Sequence, residues 1–176
     1  MTKSFSIVDW PPILRELQSE SDRAAGIVAT SLVENAMENA IRARLLPVSK
    51  AHNGKLFGDR GPLGTFSAKI DLGFSLGLFG KAALSDLHNI RRIRNRFAHD
   101  FDVDFAQDEV IKFVNLMTNY NPDVLAETAV TNHIPKPFST RTVMRWKFMS
   151  AVISIVDGLL REVSEPAVVK LPSHLA

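Results

Sequence analysis

There is no cysteine among the 176 residues, which excludes a disulfide scaffold and thiolate metal ligation and fits a reducing compartment such as the cytoplasm. Charge of one sign is also scarce in excess: 21 basic against 19 acidic side chains leave a net charge of +2, so the chain is no polycation. No apolar run reaches membrane-spanning length. The most apolar stretch, 148–160, is interrupted by Ser150, Ser154 and Asp157, and no membrane association is expected. The opening MTKSFSIVDWPP lacks the apolar core of a signal peptide. No HExxH occurs, and the histidines at 52, 88, 99, 133 and 174 are scattered, so neither a zinc site nor any other cofactor is expected. G-x-S-x-G is absent too, and Gly54-Lys55 is followed by Leu56 with no strand before it, which removes a phosphate-loop reading.

What is present is helical. Hydrophobic residues make up 45% and charged residues 23%, ordinary for one globular domain spanning 1–176, with a fraying tail from about 166. Asp9-Trp10-Pro11-Pro12 starts a short helix to about Ser19. Ser21 or Asp22 then caps a long one that runs to Leu46 and stops before Pro47. The Gly- and Pro-rich stretch 47–64 reads as a long loop, and Thr65 caps the next helix, 66–78. On that helix Phe66, Ile70, Gly73 and Gly77 share a face, a pattern that suggests close backbone approach. Helices follow over 81–98, 107–119 and, capped by Ser139, 139–163, with a Pro- and Asn-containing connection over 120–138. The expectation is an all-α single-domain bundle of about six helices with no strand. Asp100, Asp102 and Asp104 imitate the start of a calcium loop, but Phe105 and Ile111 stand where the glycine and the twelfth-position acid belong. Capping or salt bridging is their expected role.

The stretch 81–104, KAALSDLHNIRRIRNRFAHDFDVD, organises the rest. At 100° per residue Ala83, Leu87, Ile90 and Phe97 share a narrow arc, with Ile93 at its edge and Arg94 inside it. An arginine facing a core needs an anionic partner. On the long second helix, Glu34 and Glu38 sit one turn apart beside Ile27, Ile41 and Leu45, and two like charges there need a cation between them. A structural ion-pair network of Glu34, Glu38, Arg91 and Arg94 is therefore expected, with Arg94→Ala costing a few kcal/mol. Arg92 and Arg96 point the other way, as candidate phosphate contacts. His99 would favour the helix C-terminus. The same residues allow a second reading. His99 as general acid or base, Arg94 as the charge stabiliser and Asn95 as an orienting group could cleave a phosphodiester without metal. Arg94 and His99 lie five positions apart, about 140° around a continuous helix, so they converge only if the helix ends or bends near Ala98. A third reading has Arg91, Arg92 and Arg96 meet DNA directly, although no helix-turn-helix is evident at the Gly80 junction.

Leu56-Phe57-Gly58-Asp59, Phe66-Ser67-Ala68-Lys69-Ile70, Leu76-Gly77-Leu78 and the run Ile90-Arg91-Arg92-Ile93-Arg94-Asn95-Arg96-Phe97-Ala98-His99 together resemble the mannitol operon repressor (MltR) family, over about 45 residues. That resemblance implies an all-helical, cytoplasmic bacterial transcriptional regulator without enzyme activity. It would act through a protein partner or as a homodimer in place of a standard DNA-binding motif. Arg94, Asn95 and His99 also match, position by position, the Arg-polar-x3-His pattern of the HEPN superfamily. This second resemblance implies a metal-independent ribonuclease or toxin component acting on RNA, its motif usually shared across a dimer.

Overall fold

Hydroxyl caps set four of the helix starts. Ser21 Oγ accepts the Ala24 amide, Ser49 Oγ that of His52, Thr65 Oγ1 that of Ala68 and Ser139 Oγ that of Thr142, all at 3.1–3.2 Å. The computed structural model describes residues 10–122 and 137–164, and among these there are seven helices and no strand. They are α1 (Trp10–Ser19), α2 (Asp22–Arg44), α3 (Lys50–Phe57), α4 (Phe66–Ser75), α5 (Lys81–His99), α6 (Asp108–Asn115) and α7 (Thr140–Ser164). The all-α expectation holds. The stretch 47–64 is not all loop: α3 occupies its middle, because Ser49 supplies a cap that the glycine count obscured. Asp9 and the tail from 166 lie outside the described residues, as does most of the 120–138 connection.

Helix α2 presents a face of small residues, Ala25, Ala29, Ala36 and Ala40, all at most 5% exposed, and α7 packs along it. Phe148, Val152 and Leu159 of α7 are buried in the same core as these alanines. The two helices run parallel: Arg141 and Arg145 near the start of α7 reach Asp22, and Arg44 at the end of α2 pairs with Glu162. Helix α5 runs antiparallel to α2, with its last turn beside the first turn of α2. There Gly26 makes room for Phe97: a Cβ at position 26 would stand 2.4 Å from the ring. Phe97 then stacks edge-on to Phe105 (5.0 Å between centroids), and Phe105 meets Phe148 (5.3 Å). These three fully buried rings tie α5, the 100–107 segment and α7 into one core.

Helix α4 is shorter than expected because it closes on a left-handed glycine. Gly77 has φ +71°, the Leu78 amide donates to Gly73 O and the Gly77 amide to Phe74 O, each at 3.0 Å. The two glycines expected to invite a backbone thus do different things. Gly73 accommodates the Met37 and Phe79 side chains, and Gly77 turns the chain. Beyond α6, the fully buried Asp86 carboxylate accepts the Thr118 and Asn119 amides and the Asn119 side chain, and so pins that segment to α5.

Candidate interaction surface

The two carboxylates on α2 do have a cation between them, but it comes from α4. Lys69 Nζ lies 2.9 Å from Glu34 Oε1 and 2.9 Å from Glu38 Oε2, with the lysine only 5% exposed. Arg42, one turn on, donates to Glu38 Oε1 at 2.7 Å and stacks over the Phe57 ring at 3.9 Å. Burial acts to lower the Lys69 pKa, yet the bonds and charges of Glu34 and Glu38 outweigh it and hold the pKa above its ordinary value. Glu38 is likewise desolvated, and Lys69 and Arg42 bring its pKa below the usual range. The expected partners, Arg91 and Arg94, take no part in this network. The reason is rotational. Asp86, Asn89 and Ile93 are buried as well, which moves the centre of the α5 core face about 50° away from the arc drawn through Ala83 and Leu87. Arg94 is left at the rim and exposed, its Nη1 donating to Asn95 Oδ1 at 3.2 Å.

Of the two outward arginines, Arg96 departs from expectation. Arg96 is neutralised twice, by Asp100 at 2.9 Å and Glu109 at 2.8 Å, and is a poor phosphate contact. Arg92 is exposed, reaches Asn89 Oδ1 at 3.4 Å and lies 5.6 Å over the Phe113 ring. Arg91 is half-buried, its Nε shut off from solvent without a hydrogen-bond partner. His99 is exposed, and the end of α5 is capped by another residue. Arg23 donates from Nε to Phe97 O at 2.7 Å and from Nη2 to Ala98 O at 3.2 Å. Because α5 runs unbroken through His99, Arg94 and His99 stay about 140° apart, and a single chain does not bring them together. Among the described residues no group of histidine and acidic side chains is arranged to hold a metal ion, and no helix is long and apolar enough to cross a membrane.

The feature that sequence reading passed over is Phe101. It is 81% exposed, the most exposed large apolar side chain described, and the Arg23 guanidinium lies 4.4 Å from its ring centroid. A cation stacked on one ring face holds the aromatic out in water at low entropic cost. Arg94 is one turn from Ala98 on the same side of α5, so Arg23, Phe101, Arg94 and Asn95 share one end of the bundle, and none of the three polar side chains touches a carboxylate. An exposed aromatic with one arginine stacked on its face and another exposed on the same helix end has the composition of a protein-binding hot spot. No signal in the sequence pointed to it, since the alternation in FDVDF puts Phe101 on the side of Val103 and Phe105, which are both buried.

The sequence matches no protein-family model and no curated protein. Among solved structures, the fold is similar to that of a chain in the X-ray structure of the MtlR-HPr complex from Escherichia coli, at a TM-score of 0.62 and 16% identity. The likeness covers 85% of this chain and 96% of that one, so the architecture described above is shared nearly throughout.

Proposed function

We propose that the chain is a bacterial transcriptional regulator of the mannitol-operon-repressor type that works by docking on a protein partner, and not an enzyme. The observation that carries this reading is the end of α5, where Phe101 is held 81% exposed under Arg23, with Arg94 exposed on the same helix. A folding core has no use for such a ring, whereas a partner surface does. The likeness to a chain solved together with HPr supports a protein partner, and HPr is the first one to try. The expected arrangement is an acidic or polar rim on the partner around a pocket for the ring. Calorimetric titration with HPr tests this directly: binding should weaken at least about tenfold in Phe101→Ser and in Arg94→Ala, while melting stays unchanged. Equal affinity in wild type and Phe101→Ser would remove the docking surface, and the absence of any binding would remove HPr as partner.

The ribonuclease alternative draws on one observation, that Arg94, Asn95 and His99 line the same exposed helix end without a carboxylate among their contacts. Their divergence requires a second copy to complete a site. Incubation with RNA in EDTA decides it, since cleavage lost in His99→Ala would make the protein a nuclease and intact RNA at high protein concentration would end that reading.

A further inference from the structure

Beside the first turn of α2, between the end of α1 and the start of α7, the structure has a cleft of about 350 Å³ lined in part by Gln18, Asp22, Ser139, Arg141, Thr142 and Trp146. That size lies at the lower end of clefts that take small ligands. Asp22 is 3% exposed and fully engaged: it accepts the Phe105 amide at 3.0 Å, Arg141 Nε at 2.7 Å and Arg145 Nη1 at 2.6 Å. Arg145 is consumed by the same node, its Nη2 donating to Leu17 O at 2.5 Å and Glu20 O at 2.9 Å.

Arg141 differs. It is held only through Nε, its side chain is 54% exposed, and its two terminal amino groups have no partner among the described residues. The Asp22 bond thus leaves both terminal amino groups of a cleft-lining guanidinium available to a ligand. Two guanidiniums against one carboxylate leave the cleft wall with an excess of one positive charge. Asp104, the next acid to act on Arg141, lies outside the lining. Beside the fork lie two hydroxyls, Ser139 Oγ and Thr142 Oγ1, 2.8 Å apart and bonded to each other, and the Gln18 amide. Trp146 closes one wall with an apolar surface.

We propose that this cleft binds the phosphoryl group of a small phosphorylated metabolite. A fork that can grip two oxygens, next to a hydroxyl pair that can turn a proton toward a third, offers more donors than a carboxylate can use. Nothing in the docking role at the end of α5 requires this site, so it stands or falls separately.

The test is a titration of the Trp146 indole N–H resonance with inorganic phosphate, assigned through Trp146→Phe, with acetate as the comparison anion. A saturable millimolar shift with phosphate and a much weaker one with acetate is expected. Arg141→Lys, which keeps the charge and removes the fork, should weaken binding about tenfold, and Thr142→Val about threefold. If Arg141→Lys does not fold, Thr142→Val and Gln18→Ala carry the comparison. A linear, unsaturated response, equal binding of acetate, or phosphate affinity indifferent to these substitutions would overturn the proposal.

Discussion

Replacing Lys69 with methionine removes the one buried cation that the α2 carboxylates share, and the consequence can be worked out from the geometry. Methionine matches the lysine stem to within one heavy atom, so the change is mainly electrostatic. Glu34 loses a 2.9 Å partner outright, and Glu38 loses one and keeps Arg42. Stranding a buried charge costs about 3–5 kcal/mol. The carboxylates here are 23% and 26% exposed, so water relieves part of that cost and about 2–3 kcal/mol is expected. For a chain of this length the melting temperature should fall by roughly 5–10 °C, read by circular dichroism at pH 7. The triple variant Lys69→Met/Glu34→Gln/Glu38→Gln, which removes the stranded charges, should regain most of the loss. Arg94→Ala, by contrast, should change stability by less than about 0.5 kcal/mol, because the side chain is exposed and pairs only with Asn95. Wild-type melting in Lys69→Met, or a loss of equal size in Arg94→Ala, would refute the assignment of the network.

Asp22→Asn breaks the node that joins α1, α2, the 100–107 segment and α7, and should cost about 3 kcal/mol in urea unfolding, because Arg145 stays partly buried without its carboxylate. Burial would raise the Asp22 pKa, but the bonds from Arg141, the Phe105 amide and Arg145 outweigh it and hold it low. Since the folded pKa values of Asp22 and Glu38 both lie below their ordinary values, their stabilisation is complete above the usual carboxylate range and is lost as pH falls below about 4. An acid titration should show that loss in the wild type and a flatter one in Asp22→Asn. Lys69 works in the other direction: its contribution is present below its ordinary value of about 10.5 and is lost only as pH rises above it. Gly26→Ala places a methyl group 2.4 Å from the Phe97 ring and should lower the urea midpoint by the equivalent of about 1–3 kcal/mol.

Much of the fold was legible because helix signals are local. Ser21, Thr65 and Ser139 each cap the helix their position announced, and the core positions Ile90, Ile93 and Phe97 follow from the period of the chain. Helix α3 was hidden because the four glycines of 47–64 outweighed a serine cap, and α2, α4 and α6 end earlier than their patterns do. The candidate surface was half legible. Arg94, Asn95 and His99 stood out as residues, but neither their exposure nor the company of Arg23 and Phe101 could be read from spacing.

The sequence by itself determined that the chain is helical, where most helices begin, and that Glu34 and Glu38 need a cation, because capping, periodicity and like-charge repulsion act over a few residues. Only the tertiary structure decided which cation answers. Lys69 and Arg94 lie 35 and 60 positions from Glu34, and chain separation says nothing about which one the crossing of α2 with α4 and α5 brings within 3 Å. The same holds at Asp22, whose arginines lie more than a hundred residues away. Which charges meet is settled by packing, since a rotation of about 50° in the buried face of α5 is enough to turn an arginine from the core to water.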